Sequence, residues 1–318
     1  MTAAAGLFTR HHLNPVLTAA DWPVSVNTVF NAGACRLGDE TILLCRVEDL
    51  RGLSHLWVAR SEDGRSSWKV DDEPLLSPHP TFEGQLWGFE DPRVVFLEEV
   101  GAYAITCTAY GPPGPSVYLA LTEDFRSIST SHGSIMPPDD KNAALLGRRI
   151  DGKWILLHRP HVAHSGGHGN IWISRSEDLA TWHSPEVTMR TRPGAWWDSL
   201  RIGIGPPPME IEEGWLLIYH GVRETVSGST YRLGLALLDH DDPTVVLHRA
   251  PEWVLAPREP YERVGDVTNV VFSCGAIIDA EADRVDLYYG GADTCMGLAT
   301  ASLSELRSYL LSSPPSDD

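Results

Sequence analysis

The chain has 318 residues, 42% apolar and 21% charged, enough to bury a large core in an ordinary globular protein. Lys and Arg number 25 against 43 Asp and Glu, and the net charge of −18 argues against nucleic acid and anionic membrane as partners. The five cysteines include no Cys-x-x-Cys pair; they read as free thiols in a reducing compartment and give no zinc signature.

No apolar leader opens the chain, where Met1 to Gly6 runs straight into Phe8-Thr9-Arg10-His11-His12, and no later run reaches the ~20 residues that span a bilayer. A cytoplasmic protein is expected. Short β-type runs separated by Gly, Pro, Asp and Asn then fill the sequence, and the one convincing helical pattern is the last, over 302–311. One unit recurs: an apolar strand, a Ser or Thr, an acidic pair and a turn. It stands at 58–64, 119–125 and 173–178, with Trp68 and Trp182 following the first and third copies, and more loosely at 235–241 and 298–304.

Five such endings imply an all-β, five-bladed β-propeller with a short C-terminal helix, a single domain over 1–311. The acidic, proline-bearing tail 312–318 is expected to be disordered. Upstream of the endings lie second strands at 41–47, 102–110, 153–158, 215–220 and 285–289, and first strands at 32–37, 93–97, 143–150, 208–212 and 270–278. In a propeller the first strands begin around the central channel, so the residues at their starts converge. These are Asn31, Asp91, Lys141 with Asn142, Gly205 with Pro206, and Phe272 to Cys274. The second strands return to the same rim with Arg46 and Asp49, Tyr110, Arg159, His220 and Asp293.

Glu90-Asp91-Pro92-Arg93 is the stretch on which the chemistry centres. Pro92 pushes Asp91 away from the α region and holds its carboxyl at a defined angle, so that it can donate a proton. Taken alone, the same residues also read as a strand-entry turn closed by an ion pair. Arg46, Lys141, Arg159 and His220 likewise admit two readings. They form an oxyanion cradle, or they pair with acidic neighbours such as Asp49 and Asp198. One acid facing a cradle suits an inverting glycoside phosphorylase, because phosphate brings its own charge and needs no second carboxylate as base. Two carboxylates without a cradle would suit a hydrolase.

Trp87, Phe89, Tyr110, Trp196, Trp197, Tyr231 and Phe272 are candidates to stack on sugar faces, while Trp68, Trp154, Trp182 and Trp215 read as packing, as does His158. His161, His164 and His168 flank Ser165-Gly166-Gly167, and a loop closing over substrate is favoured there over a metal site.

Several motifs in order resemble glycoside hydrolase family 130, the β-mannoside phosphorylases and related β-mannosidases, from Asn14-Pro15 to Leu306. They are Phe30-Asn31-Ala32-Gly33-Ala34, Arg46-Val47-Glu48-Asp49, Glu90-Asp91-Pro92-Arg93, Lys141-Asn142-Ala143-Ala144-Leu145 and Leu157-His158-Arg159-Pro160. Trp197-Asp198-Ser199, the Gly203 to Pro208 run, Tyr219-His220-Gly221, Asn269-Val270-Val271-Phe272 and the Tyr289 to Thr294 run follow. The resemblance implies a five-bladed propeller that cleaves a β-mannoside with inorganic phosphate, with inversion, to α-mannose 1-phosphate.

It also implies roles. Asp91 would be the general acid; Lys141, Asn142, Arg159 and His220, with Arg46, would bind phosphate; and Asn31, Asp293 and Tyr231 would bind sugar, with Asp49, Glu90, Asp198 and Phe272 as further substrate-binding residues. Phosphate is the co-substrate, and no cofactor or metal is expected. The intact basic cluster favours phosphorolysis over the hydrolase branch. Thr268 and Ser273 stand where the resemblance leads one to expect prolines, and the 161–170 loop matches no particular subgroup; both bear on the acceptor sugar. The short N-terminus resembles the manno-oligosaccharide branch. The rivals are a β-mannosidase of the same fold and a non-catalytic sugar-binding propeller. Linkage, β-1,4 or β-1,2, chain length and assembly as a homo-oligomer stay open.

Overall fold

The computed structural model describes residues 6–161 and 169–316. After β1 (Thr9–Arg10) comes a meander of β2 (Val26–Leu37), β3 (Glu40–Asp49), β4 (Ser54–Ser61) and β5 (Lys69–Val70). A second follows, of β6 (Gly88–Leu97), β7 (Ala102–Tyr110), β8 (Ser116–Thr122) and β9 (Thr130–Ser134). The third sheet is β10 (Asp140–Leu145), β11 (Trp154–Pro160), β12 (Ile171–Ser176) and β13 (His183–Met189). The next holds β14 (Arg201–Ile204), β15 (Met209–Ile211), β16 (Gly214–Thr225), β17 (Gly228–Leu238) and β18 (Val246–Arg249). After the four-residue α1 (Pro260–Arg263), the strands β19 (Val271–Asp279), β20 (Arg284–Gly291) and β21 (Cys295–Ser302) form the last sheet, joined at its edge by β1. Helix α2 (Leu303–Leu311) is capped by Ser302, whose side chain accepts from the Glu305 amide.

The all-β architecture and the terminal helix match the sequence. The number of sheets differs: among the described residues hydrogen bonding divides the strands into four sheets, none closed on itself, against an expectation of five separate units. The cause is local: Ser54 pairs in parallel with Gly88 and fuses the first two meanders. A Cβ on Gly88 would stand 2.0 Å from the Ser54 carbonyl oxygen, so only glycine allows that approach. The fourth unit differs too. Its first strand begins at Arg201, and the prolines at 206–208, which cannot donate to a ladder, split it from β15.

Sheet packs face to face on sheet. Leu44, Val58, Ile105 and Ala120 fill one interface, Leu119, Leu145 and Leu156 another, and Leu217, Trp215, Ile173 and Ile202 a third. Every residue of β8 is buried, which is why it reads as an unbroken apolar run. The recurring Ser/Thr-acidic ending is a turn device. Ser61, Thr122 and Ser176 each accept from the amide three residues on, at 3.1, 3.0 and 2.9 Å. Asp63, Asp124 and Asp178 take the next amides. Of the tail, residues 312–316 lie against β18: Ser313 is buried, its carbonyl stands 3.0 Å from His248 Nδ1, and the Ser316 amide donates to Leu247 at 3.2 Å.

Candidate active site

Three first strands carry the same distortion. The ladder between β2 and β3 slips between Phe30 and Gly33, that between β6 and β7 between Glu90 and Arg93, and that between β10 and β11 between Lys141 and Ala144. In each bulge one residue takes the left-handed conformation: Asn31 at φ 49°, Asp91 at 50° and Asn142 at 55°. Asn and Asp tolerate that region better than other side chains, and a bulge re-aims the residue it displaces. The bulges send an amide, a carboxyl and a second amide into one space.

Asp91 is held by three groups. Asn31 Nδ2 donates to its Oδ1 at 2.9 Å, Arg46 Nη1 approaches the same oxygen at 3.3 Å, and Arg93 Nη1 donates to its backbone carbonyl at 2.8 Å. Arg93 is 1% exposed, and its remaining donors bind the carbonyls of Ile204 and Gly205, which fastens β6 to the end of β14. Arg46 also donates to Glu90 at 2.9 Å and to Ser54 at 3.0 Å. Burial works to raise the Asp91 pKa, but Arg46, Arg93, the Asn31 amide and Lys141 outweigh it and hold it below the usual carboxylate range. Glu90 goes the other way, raised chiefly by burial, with Asp91 adding to it against Arg46 and Lys141. Asp293, in the β20–β21 turn, is pushed up to about 7 by burial and then by the charge of Asp91.

Opposite these carboxyls lies a basic half. The Asn142 amide is satisfied with its oxygen toward Arg159, accepting from Nη2 at 3.0 Å and Nε at 3.1 Å, and it stands 3.4 Å from His220 Nε2. Arg159 is 9% exposed, and burial, followed by the neighbouring Arg201, lowers its pKa to about 10. Burial and then Arg159 lower Lys141 as well. His220 is driven well below its ordinary value by burial and by Arg159, Arg93, Arg201 and Lys141, so it is a neutral imidazole at pH 7. Among the described residues no carboxylate lies within ion-pair distance of Lys141, Arg159 or Arg201. Arg201 Nε and His220 Nδ1 are buried with no hydrogen-bond partner among the described residues. A Cβ on Gly203 would meet the His220 ring at 2.5 Å and the Asn142 amide at 2.8 Å, so glycine there makes room for both.

Tyr231 and Phe272 flank the imidazole, with ring centroids 6.2 and 4.6 Å from it. Asn31, Arg46, Glu90, Asp91, Lys141, Asn142, Arg159, His220, Tyr231, Phe272 and Asp293 therefore stand together. Two expected residues do not. Asp49 is consumed by its own turn, accepting from the amides of Arg51 and Leu53 and facing Arg51 and His55 side chains at 2.7 and 3.2 Å. Asp198 is fully buried beneath the floor, where Arg192, Arg249 and the Tyr219 hydroxyl take its oxygens at 2.8 to 2.9 Å. Both are structural acceptors.

Of the aromatic candidates, Phe89 and Trp197 are buried in packing, whereas Trp87, Tyr110 and Trp196 remain exposed. Arg201 was missed because its strand was placed after the prolines; its signal is the alternating Arg201-Ile202-Gly203-Ile204 ahead of Gly205. His164 and His168 lie outside the described residues, and among those described no group of three or more His, Cys, Asp or Glu is placed to hold a metal ion.

The family described as beta-1,4-mannooligosaccharide phosphorylase matches residues 13–310. A beta-1,4-mannooligosaccharide phosphorylase of Ruminococcus albus is 34% identical over 95% of this chain and 90% of its own. A beta-1,2-mannobiose phosphorylase of Listeria innocua is 38% identical over 82% of this chain and 70% of its own. A solved structure of a Listeria innocua beta-1,2-mannobiose phosphorylase with beta-1,2-mannobiose superposes with a TM-score of 0.86 at 31% identity, covering 96% of this chain and 99% of that one. Another solved structure, described under glycoside hydrolases of the GH130 family that target beta-1,2 mannosidic linkages in Candida mannan, does so with a TM-score of 0.80 at 26% identity over 92% and 93%.

Proposed function

The chain belongs to glycoside hydrolase family 130, and on that premise we propose that it is a phosphorylase that transfers the mannosyl group of a β-mannoside to inorganic phosphate. The observation that carries this reading is the set of cations and orphaned donors, Lys141, Arg159, Arg201 and His220, for which no carboxylate lies within ion-pair distance among the described residues. An oxyanion supplies the missing acceptors. Two guanidinium forks and an ammonium match the charge and the three equatorial oxygens of phosphate, and neutral His220 gives a ring hydrogen bond.

The reaction is written with inversion. Phosphate in the cradle attacks the anomeric carbon from the face opposite the leaving oxygen, and Asp91 supplies the proton to that oxygen, giving α-mannose 1-phosphate and a shortened acceptor. Binding a phosphate dianion offsets Lys141, one of the cations that keep Asp91 ionised. Crowding by Glu90 and Asp293 around the single Arg46 favours keeping a proton among the three carboxyls near neutral pH. Asn31 fixes the Asp91 carboxyl, while Asp293 and Tyr231 are placed to receive sugar hydroxyls and a sugar face.

The five units, four of four strands and one of five, are read as the blades of a propeller. In support, β2 lies against β6 and β19, β10 against β6 and β14, and β19 against β6 and β17, as strands around a common axis would. The five unpaired cysteines suit a reducing cytoplasm. Relatives are named for β-1,4 and for β-1,2 linkages, so both substrates enter the test. The protein is incubated with β-1,4- and β-1,2-mannobiose, with and without phosphate, and products are followed by anomer-resolved NMR. α-Mannose 1-phosphate appearing only with phosphate is expected; free mannose released equally in both would make the protein a hydrolase. Asp91→Asn is expected to lower kcat about 100- to 10,000-fold.

A further inference from the structure

Behind the catalytic cradle, on the other side of one hairpin, lies a second pocket. In the β16–β17 ladder His220 pairs with Leu233 and Val222 with Tyr231, while Gly221 pairs with Arg232 and Arg223 with Thr230. Side chains alternate along a strand, so His220 and Tyr231 share the cradle face and Arg223 and Arg232 share the opposite one. On that opposite face Gly221 and Gly234 leave room for the Trp197 ring, which would stand 2.4 and 2.5 Å from a Cβ at either position. Trp197 stacks on Tyr219 and fixes its indole nitrogen on the Pro251 carbonyl at 3.0 Å, giving the pocket a rigid floor.

The pocket has a volume of about 610 Å³, and its walls carry Trp196, Trp253, Arg223, Arg232, Arg258 and Glu252. Trp196 is 43% exposed, and Arg232 lies over the Trp253 ring at 4.6 Å. Among the described residues no carboxylate stands within ion-pair distance of Arg223, Arg232 or Arg258. The pKa of Arg232 is lowered, first by burial and then by the nearby charge of Arg223. Among the described residues three guanidiniums share the wall with the single carboxylate of Glu252, which leaves the pocket cationic in a chain of net charge −18.

We propose that this pocket is a second binding site, for a phosphorylated hexose, separate from the catalytic cradle. The guanidinium forks fit a phosphate dianion in bidentate fashion. The indole faces suit the apolar face of a pyranose, and Glu252 accepts from its hydroxyls. The site does not depend on the catalytic reading; only the choice of α-mannose 1-phosphate as one probe does, and mannose 6-phosphate serves as the other.

The test is tryptophan fluorescence titration, with calorimetry, on the wild type, the Arg223→Ala/Arg232→Ala double variant and Arg159→Ala. With mannose 6-phosphate quenching is expected in the wild type and in Arg159→Ala, and α-mannose 1-phosphate, which the cradle also binds, is titrated on the Arg159→Ala background alone. Quenching should weaken about tenfold or more in the double variant, from the loss of two charge-assisted contacts, with kcat and the KM for phosphate unchanged. Arg223→Gln, at an exposed hairpin position, is expected to shift binding in the same direction without touching the Trp253 stack. Quenching that survives in the double variant, or that disappears with Arg159 instead, would overturn the proposal. So would equal affinity for neutral mannobiose, for inorganic phosphate alone or for AMP. Failure of phosphorolysis with the pocket still binding mannose 6-phosphate would count against the catalytic reading alone.

Discussion

Replacing Asp293 with asparagine keeps the side chain's shape in its left-handed turn and removes one titration from the carboxyl cluster. In the folded protein that carboxyl is pushed up to about 7 from an ordinary 3.8, by burial and then by repulsion from Asp91. A raised carboxyl binds its proton more tightly folded than unfolded. Its contribution to stability is therefore fully present below the unfolded pKa and is lost as pH rises through the folded one. Each pKa unit carries about 1.36 kcal/mol, so the interval from about pH 5.5 to about 7 takes at most about 2 kcal/mol from the wild type. With an unfolding entropy of about 2.1 cal/mol/K per residue, that becomes about 3 °C in Tm for a chain of 318 residues. Melting both proteins in phosphate-free buffer at about pH 5.5 and about pH 8.5 measures it. The Tm of Asp293→Asn relative to wild type is expected to rise by up to about 3 °C between the two. A relative Tm that stays level or falls would refute the electrostatic account of the cluster.

Arg201→Ala should raise the apparent KM for phosphate about tenfold or more with a smaller effect on the sugar, measured by initial rates at varied phosphate. Gly203→Ala drives a methyl into His220 and Asn142 and is expected to cost about 1–3 kcal/mol of stability together with most phosphate affinity, read by denaturant melts and the same kinetics. Asp198→Asn, which leaves the buried Arg249 and the half-buried Arg192 facing a neutral amide, should destabilise by about 3 kcal/mol or more in a chemical melt. Asp49→Asn, at an exposed turn, should leave kcat and KM unchanged.

Much of the site was legible because its residues stand at strand beginnings, where period and punctuation agree. Asn31, Asp91 and Asn142 could be placed by counting back from each apolar run, and the structure puts all three in matching bulges. Arg201 was hidden by the prolines at 206–208, which made the later segment look like the strand. Asp49 and Asp198 show the opposite failure. Each sits three positions from a site residue in the sequence, Arg46 and Arg201, yet one carboxyl serves its own turn and the other the ionic layer below the floor, and nearness in the chain does not say which face a carboxyl serves. The union of the first two sheets had no sequence signature, because it depends on one backbone approach at Gly88.

The three left-handed bulges also bear on how this scaffold can change. A backbone that demands Asn, Asp or Gly at a position restricts the alphabet there, yet it leaves open the one exchange that matters chemically, between amide and acid. At 31, 91 and 142 that exchange alters charge by one unit with no change of shape and little strain. The site thus behaves as a plugboard with three sockets, in which the placement of a single proton-bearing group can be rewired one atom at a time while the sheets that present it stay as they are.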